Sequence, residues 1–133
     1  RITEMQAALG WSQMQRMHAT WRQRNRIAIR YASLLSDFVD IETLPSAPIA
    51  WFVYVIRLLR GDRDLIAKRL ARNGIQTRPY FPSITTQPPY AKWRGKCPNA
   101  ELLGSQTLAL PFYTAITEAE QEYVVKHLRR ALA

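Results

Sequence analysis

The side chains most often used in catalysis and metal binding are few in this 133-residue chain, and they form no recognisable set. His18 and His127 fall in separate helical contexts without the spacing of metal ligands. Cys97 is the single cysteine, so it has no disulfide partner within the chain and is predicted to be a surface thiol. The five glycines are scattered, which excludes a glycine-rich phosphate loop. The residues alone therefore define no active site.

One segment, the loop predicted over residues 79–99, combines side chains suited to ligand binding. Five of the eight prolines lie in it. Its aromatic and basic residues are Tyr80, Phe81, Tyr90, Lys92, Trp93, Arg94 and Lys96. A loop of this length without its own secondary structure is usually functional. Its aromatics offer flat apolar surface, and its Lys and Arg side chains offer positive charge. The alternative is that the aromatics pack onto the domain and the cations are solvated.

Charge narrows the classes of partner. Nineteen Lys and Arg residues against ten Asp and Glu residues leave a net charge of +9. Residues 1–36 carry +5 and residues 51–99 carry +8, whereas residues 37–50 carry −3. Such a balance suits nucleic acid, an anionic membrane surface or an anionic small molecule, and it equally suits a surface of solvated arginines.

No apolar run reaches the length of a membrane span and no secretory signal opens the chain, so we expect a cytoplasmic protein.

A long helix is predicted at the start of the chain. Thr3 and Gln6 have the spacing of a capping box, and no proline follows before Pro45. The apolar periodicity predicts one helix over residues 4–36. Trp21 is expected in the core, and the alternative is that Trp11 and Trp21 are exposed anchors for a missing part of the protein. A helix of this length exceeds what about one hundred further residues can cover. We therefore expect part of it to pack against something absent, and the chain to be a fragment of a longer protein.

The rest of the chain is predicted to be a small two-layer α/β domain. Residues 40–48 are predicted as a loop, and residues 51–59, 75–79 and 108–111 as strands of one sheet. Asp62 is placed to cap a helix that ends at Asn73 and Gly74. Two more helices are predicted, one that Asn99 caps and that runs through Thr107, and one that a capping box at Thr117 and Glu120 begins.

Four stretches, in the same order, resemble the DegT/DnrJ/EryC1/StrS family of sugar aminotransferases. They are residues 1–10 (RITEMQAALG), 51–57 (WFVYVIR), 74–81 (GIQTRPYF) and 108–120 (LALPFYTAITEAE). The resemblance implies the C-terminal small domain of a fold-type-I transferase that depends on pyridoxal phosphate. Residues 1–38 would be the long helix leading from a large domain, and residues 39–133 the small domain.

The resemblance also implies a function. The parent protein would be a cytoplasmic, homodimeric aminotransferase that acts on a nucleotide-linked keto-sugar, with glutamate as the expected amino donor. Such enzymes serve the biosynthesis of polysaccharides and antibiotic sugars. The family's Schiff-base lysine lies upstream of Arg1 and matches none of the four lysines here. We therefore expect no catalytic residue, no metal and no bound pyridoxal phosphate in this chain alone.

The family's substrate loop places three residues of this chain as candidate substrate-binding residues: Arg78, Tyr80 and Thr85. Many family members carry histidine at the position of Thr85, so the chain would offer a shorter, uncharged hydroxyl there. The alternative for Tyr80 is a packed aromatic, and for Arg78 a solvated side chain at a strand end. Arg1 is the residue expected closest to the cofactor of the parent enzyme.

Two other functions are compatible with the sequence. One is a regulatory member of the same family that keeps the fold without the chemistry, since members of the family are called pleiotropic regulatory proteins. The other is a basic module that binds nucleic acid through its +9 charge, although no nucleic-acid motif occurs. A lysine that follows a serine-rich strand end upstream would favour the enzyme over the regulator.

Overall fold

The computed structural model describes residues 1–43 and 49–133, and it has the predicted α/β architecture. The elements follow one another as α1 (Glu4–Leu34), β1 (Ile41–Thr43), β2 (Tyr54–Leu58), α2 (Arg63–Ala71), β3 (Arg78–Pro79), α3 (Pro98–Gln106), β4 (Thr107–Leu110) and α4 (Glu118–Leu132). Two short 3-10 helices, Ile84–Thr86 and Pro88–Trp93, lie between β3 and α3.

One four-stranded sheet, in the order β1-β2-β4-β3, forms the centre of the fold. Every neighbouring pair is antiparallel, with Tyr54 opposite Leu110 and Arg78 opposite Ala109. The predicted strand–helix–strand unit is present as β2-α2-β3, but β4 lies between its two strands. All three predicted strands contribute: β2 and β3 are shorter than predicted, and β4 is shifted by one residue to Thr107–Leu110.

The prediction of a loop over residues 40–48 was wrong for residues 41–43, because these residues form a strand that pairs with β2. The rest of that prediction, residues 44–48, lies outside the described residues.

Helix boundaries follow the local capping signals. Both predicted capping boxes form, at Thr3 with Gln6 and at Thr117 with Glu120. The Asp62 side chain accepts from the N–H groups of Asp64 and Leu65 in the first turn of α2. Gly74, at φ +73°, ends this helix with hydrogen bonds typical of a Schellman motif.

The N-terminus of α3 differs slightly from the prediction. The helix begins at Pro98, with Cys97 instead of Asn99 at the N-cap position, because proline is well suited to a first helical position.

The hydrophobic core lies on one face of the sheet. Alternate residues of β2, namely Tyr54, Ile56 and Leu58, are buried on this face, as strand geometry requires. They belong to one cluster with buried residues of β4, α2, α4 and the C-terminal end of α1. The C-terminal end of α1 thus shares the core of residues 39–133. The division of the chain into a helix over residues 1–38 and a domain over residues 39–133 stays a prediction.

The first part of α1 extends beyond the core. The helix has 31 residues and is about 46 Å long, which exceeds the width of the small sheet. Residues 1–19 are all exposed, including Met5, Leu9, Trp11 and Met14. The prediction that Trp21 lies in the core was wrong, because this residue is 41% exposed.

No helix in the described part of the chain has both the length and the apolarity that crossing a bilayer requires.

Candidate functional site: an apolar trough on the open face of the sheet

The second face of the sheet carries a trough with a cavity volume of about 710 Å³. Its floor is formed by Val53, Val55 and Arg57, which alternate with the core residues of β2. One wall is α3, through Leu103 and Gly104, and the rim includes residues 80, 81 and 83–85. We call this cavity the trough. Its lining is mostly apolar, which is typical of pockets that bind organic ligands.

Charge in the trough is confined to one end and is internally paired. The Arg57 guanidinium lies 2.9 Å from a carboxylate oxygen of Glu42, and its Nε donates to Gln106 Oε1 at 2.8 Å. These contacts hold the guanidinium across β1, β2 and the end of α3. The cation is therefore engaged within the domain instead of being presented to an anionic ligand.

The rim of the trough is held by hydrogen bonds that converge on Glu101 of α3. The Thr85 hydroxyl donates to Glu101 Oε1 at 2.6 Å, and the Gly95 N–H donates to the same oxygen at 2.8 Å. The hydroxyl oxygens of Ser83 and Thr85 are 2.8 Å apart. We call these four residues the loop junction. The hydrogen bonds from Thr85 and Gly95 hold the pKa of Glu101 below its usual value, so the carboxylate is ionised at neutral pH.

Phe81 stands on this rim in an unusual backbone conformation. Its φ is +44°, and no other non-glycine residue among residues 1–43 and 49–133 has a positive φ. Its ring lies 4.6 Å from the ring of Tyr80, and its side chain is 71% exposed. The Thr107 hydroxyl donates to the Tyr80 carbonyl at 3.1 Å, which attaches this turn to β4. Strained conformations of this kind occur most often at functional sites.

The predicted site residues take different positions around the trough. Tyr80 and Thr85 line it, whereas Arg78 is an exposed residue of the edge strand β3. Arg1 is exposed beside the first turn of α1 and is not a lining residue. Thr85 is 3% exposed and its hydroxyl is already bonded to Glu101. A direct substrate contact by Arg78, Tyr80 or Thr85 stays a prediction.

The structure adds site residues that the sequence interpretation did not assign. Phe52 and Leu103 line the trough, and Glu101 organises its rim. The floor residues could have been predicted from the geometry of strands, because outward-facing residues of a half-buried strand alternate with core residues. Nothing comparable indicated Glu101, because its hydrogen-bond partner Thr85 is 16 residues away.

The lysine side chains are the groups of this chain that could hold pyridoxal phosphate covalently. The cofactor is held by a lysine amine in enzymes that use it for transamination. The lysines Lys68, Lys92, Lys96 and Lys126 are all exposed, and none lines the trough. Within the described part of the chain, no three His, Cys, Asp or Glu side chains lie together as metal ligands.

The fold and the order of the sequence motifs define the class of protein. The model of the DegT/DnrJ/EryC1/StrS aminotransferase family matches residues 1–129, and the chain belongs to this family. The resemblance found in the sequence is thereby confirmed.

Curated relatives agree with this assignment. GDP-perosamine synthase of Caulobacter vibrioides is 31% identical over 99% of this chain and 38% of its own length. The dTDP-4-dehydro-2,3,6-trideoxy-D-glucose 4-aminotransferase of Saccharopolyspora spinosa is 30% identical over 97% of this chain and 34% of its own length. A pleiotropic regulatory protein of Geobacillus stearothermophilus is also 30% identical, over 96% and 36%. The chain spans about a third of the length of these relatives.

Solved structures show the same fold. A DegT DnrJ EryC1 StrS aminotransferase from Brucella abortus superposes with a TM-score of 0.84 at 28% identity, covering all of this chain and 36% of that one. NtdA from Bacillus subtilis, solved with bound cofactor PMP, superposes with a TM-score of 0.86 at 27% identity, covering 99% and 33%. The predicted fold class is therefore confirmed.

Proposed function

We propose that this chain is the C-terminal small domain of an aminotransferase that uses pyridoxal phosphate to aminate a nucleotide-linked keto-sugar. The family match over residues 1–129 carries the proposal. Relatives with about 30% identity are named for sugar amination, one with a GDP-linked product and one with a dTDP-linked substrate. The cofactor PMP in the Bacillus subtilis structure supports the cofactor assignment.

The contribution of this chain is to shape a pocket. An apolar wall offers flat surface to a sugar ring or base. It also excludes water, and the exclusion of water strengthens polar interactions nearby. Tyr80 is the proposed direct contact, because it lines the trough and its backbone is attached to β4. Thr85 acts through the position of the loop, and Arg78 at the adjacent sheet edge is proposed to meet the anionic part of the substrate.

The lysine chemistry is assigned to another part of the protein. Pyridoxal phosphate supplies an electron sink for the transfer of the amino group, and a lysine amine both holds it and moves the proton. Since the four lysines here are exposed outside the trough, we propose that residues 1–133 alone do not transaminate. Glutamate as donor, a homodimer with shared active sites and a cytoplasmic location complete the proposal.

Kinetics of the whole protein test this function. The protein is incubated with glutamate and a panel of GDP- and dTDP-linked 4-keto-sugars, and 2-oxoglutarate and the amino-sugar product are measured. Tyr80→Ala should lower kcat/KM for the sugar by more than several-fold, because it removes apolar area and a hydroxyl from the pocket. Tyr123→Ala is the matched control, since Tyr123 is a half-exposed tyrosine of α4 that does not line the trough.

Two outcomes would contradict the proposal. Absence of turnover with every sugar nucleotide, in a protein that holds pyridoxal phosphate, would refute the substrate class. Equal kcat/KM for Tyr80→Ala and Tyr123→Ala would refute the placement of the pocket.

The assignment of the lysine is tested on the 133-residue chain by titration with pyridoxal phosphate. We expect no stoichiometric absorbance of lysine-bound cofactor that survives dialysis. Such a band, abolished by substitution of a single lysine of this chain, would reverse the assignment.

A regulatory function is the second candidate, and the 30% identity to a pleiotropic regulatory protein favours it. It predicts a whole protein that keeps this fold but neither holds the cofactor nor aminates any sugar nucleotide. The same assays therefore separate the two functions.

A further inference from the structure

Glu101 joins two distant points of the loop between β3 and α3. One carboxylate oxygen accepts from the Thr85 hydroxyl at 2.6 Å and from the Gly95 N–H at 2.8 Å. Ser83 and Thr85 are buried, and their hydroxyls are bonded to each other. Hydrogen bonds to an ionised acceptor are stronger than neutral ones, particularly where a donor is buried.

The segment closed by these bonds has little other attachment to the domain. Residues 86–100 are all exposed, and none of them belongs to the hydrophobic core. Segments of this kind open locally at low free-energy cost unless specific bonds hold them. The segment is held in part by two hydrogen bonds to Glu101, one from the Thr85 hydroxyl and one from the Gly95 N–H.

The residues before the loop junction are held tightly against α3. A Cβ on Gly104 would lie 2.9 Å from the Ser83 backbone nitrogen and 3.5 Å from the Phe81 carbonyl oxygen. The backbone of residues 81–83 therefore touches the helix directly at Gly104. This contact and the loop junction enclose the turn that contains the strained Phe81, and strain of this kind persists only where neighbouring structure imposes it.

We propose that Glu101 is a positioning residue for the trough. By holding Thr85 and Gly95 on one carboxylate oxygen, it keeps the rim closed and presents the ring of Phe81 to a ring of the nucleotide-sugar. The proposal rests on the proposed function. Glu101 itself lies behind the rim and acts through Thr85 and the backbone of residues 81–83.

Three variants of the whole protein test the proposal. Glu101→Gln removes the charge with nearly the same shape, and Thr85→Val removes the hydroxyl that reaches the carboxylate. Glu122→Gln is the control, because Glu122 is an exposed carboxylate of α4 that pairs with Arg30 away from the trough. Thr85→Val also keeps the test available if Glu101→Gln fails to fold.

The first measurement is limited proteolysis with trypsin. Lys92, Arg94 and Lys96 are exposed cleavage sites within the closed segment. Loss of the charge on the acceptor in Glu101→Gln, or of the donor hydroxyl in Thr85→Val, should raise their cleavage rate by about tenfold. The increase in the double variant should be smaller than the product of the two single increases, because both changes act on the Thr85–Glu101 bond. Glu122→Gln should match the wild-type rate.

The second measurement separates positioning from stability. KM for the nucleotide keto-sugar should rise by about tenfold in both variants, while the half-reaction with glutamate keeps its wild-type rate. A residue with a purely structural role would leave KM unchanged or impair both half-reactions together.

Every result decides one part of the proposal. Wild-type cleavage rates in both variants would overturn the junction. Faster cleavage with an unchanged KM would overturn the positioning role. If the wild-type protein aminated no sugar nucleotide, the proposed function would fail and the substrate role of Glu101 with it. Proteolysis would in that case still show independently whether the junction holds the loop.

Discussion

Two stacked tyrosines allow a sharp test of the core. Tyr31 of α1 and Tyr54 of β2 are both buried, with ring centroids 5.0 Å apart. The Tyr31 hydroxyl donates to the Pro111 carbonyl at 3.0 Å. The Tyr54 hydroxyl is buried without a hydrogen-bond partner among the residues described. The same substitution at the two positions should therefore have opposite effects.

The magnitudes follow from the hydrogen bonds. Tyr31→Phe should lower the free energy of unfolding by about 1–2 kcal/mol, because it removes one bond and leaves the Pro111 carbonyl unpaired. Tyr54→Phe should leave it unchanged or raise it by up to about 2 kcal/mol, because a desolvated hydroxyl without a partner is removed. For a domain of this size, 1 kcal/mol corresponds to roughly 4 °C in Tm.

Urea denaturation of the protein and its two variants, with thermal melts in parallel, measures both effects. Similar m-values would confirm that stability has changed and not the compactness of either state. If Tyr54→Phe is as destabilising as Tyr31→Phe, the Tyr54 hydroxyl has a partner and the reasoning is refuted.

Three further predictions concern packing, pH and charge. Gly104→Ala should lower the free energy of unfolding by about 1–2 kcal/mol, since its Cβ would meet the Ser83 backbone at 2.9 Å and the resulting strain exceeds the gain in helix propensity. Ser105→Ala, at the adjacent exposed position, should change it by less than about 0.5 kcal/mol, and equal urea midpoints for the two variants would contradict the close contact. Burial raises the pKa of Tyr54 to about 12 and also raises the pKa of Tyr31, both from 10.0. The neutral forms are favoured in the folded state, so stability should be complete below 10.0 and fall as the pH rises above it; Tyr54→Phe should flatten this decline in urea midpoints, and an unchanged slope would exclude Tyr54 as its source. Binding to duplex DNA should be weak, independent of sequence and steeply weakened by salt, whereas tight sequence-dependent binding at physiological salt in a fluorescence-anisotropy titration would favour a nucleic-acid function.

Helix boundaries were predictable because their causes are local. The capping boxes at Thr3 and Thr117 join residues three apart, and Asp62 caps α2 from directly before it. The left-handed Gly74 ends α2 with bonds to residues within the same turn. Each of these signals is complete within a few residues, so no knowledge of the tertiary structure was required.

Burial along α1 was less predictable. The apolar periodicity indicated which stripe of the helix is buried, and it is correct for Ala28, Tyr31 and Leu35. The same stripe continues through Met14, Met17 and Trp21, which are exposed. Periodicity defines a face of a helix, whereas the length of that face that is covered depends on how far the neighbouring elements reach.

The site was predictable in part. The prolines and aromatics of residues 79–99 and the family resemblance indicated the segment that forms one rim of the trough. They also led to Tyr80, which lines it. The role of Thr85 was not predictable in the same way, since its hydroxyl is bonded to Glu101, 16 residues along the chain.

By itself, the sequence determined where most helices begin and end, which segments contain β2, β3 and β4, and to which family the chain belongs. These properties depend on residues close together or on a pattern along the whole chain. Only the tertiary structure decided that β4 lies between β2 and β3, that residues 41–43 form an edge strand, and that Glu101 closes the loop. Pairing between strands and contacts across a loop depend on which distant segments meet, because each such contact must offset the entropy of closing the chain between them.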